Sequence, residues 1–216
     1  MSDHSVTPLS KQGIGILGGS FDPVHLGHLW MAEAALQQLP IDHVRWIPAA
    51  TSPLKPRGPV ASNAQRLQML QLALSGHQGH QIDTWELDRD EISYTIDTLT
   101  YLREEHPEQP LYLVIGADSL ASFEQWKDPA GILEICTLAV IARGGWELPD
   151  YDLIRPHGVA DGITRCRENE IKMPQIEISS SELRERVGSH QSIRFQVPHA
   201  VEVYIRNENL YCPLKS

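Results

Sequence analysis

The chain predicts an α/β fold, a parallel β-sheet with helices on both faces. Three observations carry this. Short apolar runs alternate with segments whose apolar residues recur at helical spacing. Two of the runs, Leu111–Ile115 and Leu138–Ala142, are continuously apolar, as strands buried on both faces are. A glycine-rich turn, Gly18-Gly19-Ser20-Phe21-Asp22-Pro23-Val24-His25-Leu26-Gly27-His28, stands where the first run passes into the first helical pattern. Ligands of such sheets bind beyond the carboxyl ends of the strands, and the turn lies there.

The elements follow in order. Ile14–Leu17 is the first strand. Leu29, Ala32, Leu36 and Leu39 share one helical face, and Pro40 stops that helix. His43–Ile47 reads as the second strand. Three prolines and a glycine make Thr51 to Pro59 a loop. A helix over Asn63–Leu74 aligns Leu67, Leu70 and Leu74 and ends at Gly76. Gln81–Glu86 reads as the third strand. Ile96, Leu99 and Arg103 mark a helix that ends before Pro107. Gly144 to Met173 shows no regular pattern and reads as an inserted flap. Gln175–Ile178 reads as a short strand and Ser181–Val187 as a short helix. The last helix starts near Pro198 and carries Val201 and Ile205 on one face. The length suits one domain over residues 13–216, with the polar segment Met1 to Gln12 as a frayed tail.

A formal net charge of -10 argues against a general binder of nucleic acid or membrane surfaces. It also requires local cations if the ligands are anionic. Cys136, Cys166 and Cys212 are far apart and odd in number, which suits a reducing, cytoplasmic setting and shows no metal spacing. No secretory pattern is visible, and no apolar run approaches the ~18 residues of a membrane span.

At the glycine turn, backbone N–H groups and a helix dipole favour a phosphate. His25 and His28, three apart, can share a face, with Gly27 leaving room for a ligand between them. Taken alone, the pair could also be half of a metal site or incidental to a helix cap. The string Gly13-Ile14-Gly15-Ile16-Leu17-Gly18 matches G-x-G-x-x-G, but its first two glycines fall at the start of the strand. The second strand also ends Ile47-Pro48-Ala49-Ala50, without the acid a dinucleotide-binding fingerprint needs. A nicotinamide-dependent dehydrogenase is therefore not expected.

The turn resembles the G-G-[ST]-F-D-P-x-H-x-G-H signature of the H-x-G-H nucleotidyltransferase superfamily. That family's second signature, I-S-[SA]-[ST]-x-[IL]-R, is matched by Ile178-Ser179-Ser180-Ser181-Glu182-Leu183-Arg184. Between them, Ser93-Tyr94-Thr95-Ile96-Asp97-Thr98-Leu99 is similar to the S-Y-T-x-D-T-L segment of bacterial nicotinate-nucleotide adenylyltransferases. Gly116-Ala117-Asp118-Ser119-Leu120, followed by Phe123, Trp126, Lys127 and Pro129, resembles their G-A-D-x-L…F-x-x-W segment. The resemblance runs from Gly15 to Tyr211. Ser20 and Ser181 stand where threonine is commoner, Arg143-Gly144-Gly145 replaces arginine-proline-glycine, and Trp146–Met173 is longer than the family norm.

The resemblance implies a Rossmann-like sheet of nucleotidyltransferase type. It also implies transfer of an adenylyl group from ATP, with Mg²⁺, to nicotinate mononucleotide. His28 would meet the α-phosphate and His25 the phosphate chain, beside Gly18, Gly19, Ser20 and Phe21. Ser180, Ser181 and Arg184 would hold the β- and γ-phosphates. Asp118 would bind the adenosine ribose or close a strand-end turn. Lys55 would meet the mononucleotide phosphate or neutralise the approach of two anions. Thr95 would lie near the mononucleotide's carboxylate and Trp126 would stack on its pyridine ring, with Arg143 in the same subsite. No residue is expected to ligate a metal directly. Read singly, each has a plainer role: Ser179-x-x-Glu182 is a capping box and Thr95 a helix cap, Lys55 a solvated charge, Trp126 packing.

Overall fold

A computed structural model of the chain describes residues 13–53, 58–89, 91–143, 149–157 and 161–212, the side chain of Arg143 excepted. Among these, six strands form one sheet: β1 (Gly13–Gly19), β2 (Ile41–Pro48), β3 (His80–Ile82), β4 (Leu111–Gly116), β5 (Thr137–Arg143) and β6 (Ile171–Met173). Every pairing is parallel and the order is β3-β2-β1-β4-β5-β6. The order reverses between β1 and β4, so their carboxyl ends, Gly19 and Gly116, flank the crevice where such sheets take ligands.

Alternation along the strands splits the core into two layers. Leu17, Val114, Ala139 and Ile141 face one cluster of buried side chains; Ile14, Ile16, Leu113, Ile115, Leu138 and Val140 face the other. The first layer is covered by α1 (Leu26–Gln38), α2 (Asn63–Leu74) and, nearer the C-terminus, α8 (Ser180–Gly188) and α9 (His199–Asn207). The second is covered by α4 (Thr95–Glu105), α6 (Pro129–Ile135) and α7 (Gly162–Glu168). Two short helices, α3 (Trp85–Arg89) and α5 (Ala117–Ala121), follow β3 and β4.

Gly13 and Gly15 serve packing. A Cβ on Gly15 would come within 2.7 Å of the Ile41 side chain, and one on Gly13 within 2.8 Å of Tyr112. Both lie inside β1, which accounts for the accidental fingerprint.

Three expectations are corrected. The third strand stops at Ile82, short of Glu86. There Asp83 accepts the Trp85 amide (3.0 Å) and Thr84 Oγ1 donates to Asp88, which starts α3. Gln175–Ile178 has no regular secondary structure and lies outside the sheet. The sixth strand is Ile171–Met173, and Pro174, lacking an N–H, ends it. The buried face of α2 is Arg66, Met69, Leu70, Ala73 and Leu74; Leu67 is only half-buried. Within Gly144 to Met173 the described residues hold a 3-10 segment at Tyr151–His157, α7 and β6.

Candidate active site

A cavity of about 990 Å³ opens at the crevice. It is lined by Gly18, Gly19, Ser20, Phe21, His25 and His28 from the first turn. Ser180, Ser181 and Arg184 come from α8, and Thr95, Asp118 and Trp126 from the segments between. Residues as far apart in sequence as Gly18 and Arg184 are thus brought to one place. Lys55 lies outside the described residues, as does the side chain of Arg143, whose backbone ends β5.

His25 is the N-cap of α1, and its backbone N–H donates to Nδ1 of His28 (3.3 Å). An Nδ1 that accepts must be unprotonated, so the neutral His28 ring carries its proton on Nε2. The two rings stack, centroids 3.7 Å apart, and Phe21 presses on His28 edge-to-face at 5.1 Å. Phe21 holds this place with φ of +48°, in the left-handed region that L-residues adopt at a cost. A Cβ on Gly27 would sit 3.0 Å from His25 Nδ1, so the glycine makes room for the His25 ring, and it also lines the cavity. The Leu26 amide bonds Gln196 O (2.9 Å) and the His28 amide bonds His25 O (3.0 Å). These two first-turn amides are therefore engaged within the protein.

The two signature segments are joined directly. Arg184 Nη1 donates to the carbonyl of Asp22 (2.7 Å), and Ser180 Oγ donates to that of Pro23 (3.0 Å). Arg184 Nη2 also donates to Ser181 Oγ (3.2 Å). The N-cap of α8 is Ser179, which accepts the Glu182 amide (3.2 Å). The plain capping role is therefore present together with the joint.

Sequence reasoning missed the groups beneath. Asp22, 2% exposed, accepts the amides of Val60 (2.7 Å) and Ala61 (3.1 Å) and the hydroxyl of Tyr211 (2.7 Å). That contact and burial push the Tyr211 phenol far up from its ordinary range, burial first. Arg66, wholly buried in α2, donates to Ser20 O and to Asn63 Oδ1, both at 2.7 Å. Burial lowers its pKa, while Asp22 opposes the shift. The single charged residue of α2, set among apolar and uncharged polar ones, was the available signal for Arg66. Nothing local marks Tyr211 as a partner of Asp22.

At the other end, Thr95 is the first residue of α4, whose N-cap is Tyr94, so it is not the cap. Lys127 Nζ bonds both oxygens of Asp97 (3.0 and 3.1 Å) and sits 4.5 Å over the Tyr94 ring. This pins the Trp126 segment to the first turn of α4. Glu86, on α3, also lines the cavity and accepts the Thr98 hydroxyl (2.5 Å). Asp118 is exposed in the first turn of α5. Among the described lining residues, Arg184 and Lys127 are the permanent cations, against carboxylates at Asp22, Glu86 and Asp118.

Comparisons with known proteins agree with this geometry. The family described as Cytidylyltransferase-like matches residues 16–186. A relative from Rhodopirellula baltica named "Probable nicotinate-nucleotide adenylyltransferase" is 64% identical, covering 98% of this chain and 99% of its own. One of the same name from Roseiflexus castenholzii is 41% identical over 91% of this chain and 96% of its own. The solved Plasmodium falciparum nicotinic acid mononucleotide adenylyltransferase complexed with NaAD shares the fold. Its TM-score is 0.75 at 20% identity, over 93% of this chain and 97% of that one. With the two signature segments locked together at the switch point of a parallel sheet, and full-length relatives of one name, the chain belongs to the nicotinate-nucleotide adenylyltransferase family.

Proposed function

We propose that the chain transfers the adenylyl group of ATP to nicotinate mononucleotide, giving deamido-NAD and pyrophosphate. The observation that carries this is the joint between the signature segments, Arg184 to Asp22 O and Ser180 to Pro23 O, on a cavity that also reaches Thr95 and Trp126. A phosphate oxygen of the mononucleotide attacks the α-phosphorus as the bond to the β-phosphate oxygen breaks. The nucleophile is already an anion, so alignment and charge stabilisation suffice. His28 Nε2–H donates to the α-phosphate, with His25 behind it. Arg184 and Ser181 at the start of α8 take the β- and γ-phosphates as they leave. The Ser180 hydroxyl, already donating to Pro23, acts through position. Lys55 and Arg143 are assigned to the mononucleotide.

Mg²⁺ fits this site as an ion carried by ATP. Among the described residues no three His, Cys, Asp or Glu side chains are grouped to hold a metal, and both oxygens of Asp22 accept N–H or O–H donors. The ion would sit on phosphate oxygens and offset their charge. We assign residues 13–216 to one catalytic domain and the enzyme to the cytoplasm. Among the described residues no helix is long and apolar enough to cross a membrane.

The test is pyrophosphate release from ATP and Mg²⁺ with each acceptor in turn. Release that depends on nicotinate mononucleotide supports the reading. Preference for nicotinamide mononucleotide or phosphopantetheine changes the acceptor. ATP binding with no turnover for any acceptor makes the chain a sensor. The Lys127–Asp97 contact supplies a second prediction. Asp97→Asn is expected to raise KM for nicotinate mononucleotide about two- to fivefold with kcat little changed, the size of one half-exposed ion pair. Initial rates at varied mononucleotide and saturating ATP measure it.

A further inference from the structure

Glu86 does not fit a cavity built only for phosphates. Its residue is 9% exposed, it lines the acceptor end, and it is held there by the hydroxyls of Thr98 and Ser93. Ser93 Oγ in turn accepts the amide of Ala50 (3.0 Å). Those hydroxyls could bond a neutral amide oxygen equally well. A carboxylate costs desolvation, and burial pushes its pKa up, with Asp83 adding to the rise. Arg89, the cation of the same short helix, is engaged by Glu91 (2.6 Å) and stacked on Trp85 (4.5 Å). Arg89 still favours the charged form of Glu86, but among the described residues no cation is paired with it as a salt bridge.

The walls nearby are aromatic. Tyr94 and Trp126 line the same cavity, and aromatic faces attract cations. One part of the proposed acceptor is a cation: the quaternary nitrogen of its pyridinium ring. We infer that Glu86 is the counter-charge for that ring, a specificity-determining residue that selects a cationic heterocycle and turns the acceptor ring-inward. The inference rests on the mononucleotide being the acceptor. The ring carboxylate is left to Thr95 and the first turn of α4, where Lys127 also stands, and the phosphate to the end where Arg184 and the histidines stand. Attraction of the ring nitrogen at one end and of the phosphate at the other favours one orientation.

The experiment compares nicotinate mononucleotide with a neutral isostere, 3-carboxyphenyl C-riboside 5′-phosphate, on wild type and Glu86→Gln. Wild type is expected to favour the cationic ring in kcat/KM by on the order of tenfold, the effect of one opposite charge at intermediate dielectric after desolvation. In Glu86→Gln, kcat/KM for the cationic acceptor is expected to fall about as far while that for the neutral one holds, so the preference collapses. Thermal unfolding provides a second readout. A raised carboxyl pKa lowers folded stability as pH climbs from the ordinary carboxylate range through the raised value, so the amide is expected to unfold at or above the wild-type temperature at neutral pH. Equal losses for both acceptors, or no loss, overturn the inference. So does a wild type indifferent to ring charge, a comparison that needs no variant. Wild type turning over neither acceptor overturns the functional reading itself, and the inference with it.

Discussion

His28→Ala is expected to lower kcat for mononucleotide-dependent pyrophosphate release by on the order of 10²–10³, as for loss of one preorganised donor to a developing charge. The expectation rests on how firmly the ring is aimed. His28 is stacked on His25, pressed by Phe21, and tied through Nδ1 to a backbone amide. Little reorganisation is then needed when charge builds on the α-phosphate. KM for ATP is expected to change far less, because Arg184 and the start of α8 remain. Thermal unfolding is expected to shift slightly, since a 3.3 Å bond and the ring contacts to His25 and Phe21 are lost from a half-buried side chain. Steady-state rates over both substrates separate these outcomes. Normal turnover would remove His28 from the mechanism while leaving the fold and family intact.

The sheet was legible wherever a strand is buried on both faces. β4 and β5 announce themselves as unbroken apolar runs, and α2 by its period and the Gly76 stop. The edges were less legible. β3 and β6 have three residues each, too few for a pattern, and are set by pairing with β2 and β5. Glu86 was placed in a strand because Ile82, Trp85 and Leu87 suit either state. A local bond from the Trp85 amide to the Asp83 carboxylate decided for helix. The candidate site was legible as motifs, and the cavity gathers those that lie among the described residues. What could not be read is the set of long-range bonds holding the motifs in register. Most of these bonds link side chains to backbone carbonyls and amides, groups nearly every residue has, so residue type does not signal them.

Asp22→Asn is expected to be the costliest substitution for stability, and to damage activity through position. Three donors converge on this carboxylate: the Val60 amide on Oδ2, and the Ala61 amide and Tyr211 hydroxyl on Oδ1. Arg184 Nη1 lies 3.8 Å from Oδ2 as well. An asparagine keeps one acceptor oxygen. Whichever way its amide turns, an NH₂ faces at least one buried N–H or O–H, and the charge opposing Arg184 and Arg66 is gone. Removing one partner from such a buried network costs about 3 kcal/mol, because the remaining donors lose their acceptor. For a chain of this size that lowers Tm by about 6–12 °C. Tyr211→Phe, which removes one donor and leaves the carboxylate its two amides, is expected to cost about 1 kcal/mol. The order of the two variants is therefore the check, read by thermal or urea unfolding. The carboxylate also ties the phosphate turn to the segment entering α2, so Asp22→Asn is expected to raise KM for both substrates even below its unfolding temperature. Asp22→Asn unfolding with wild type would show that these bonds are not what holds the turn, and that the joint to Arg184 suffices alone.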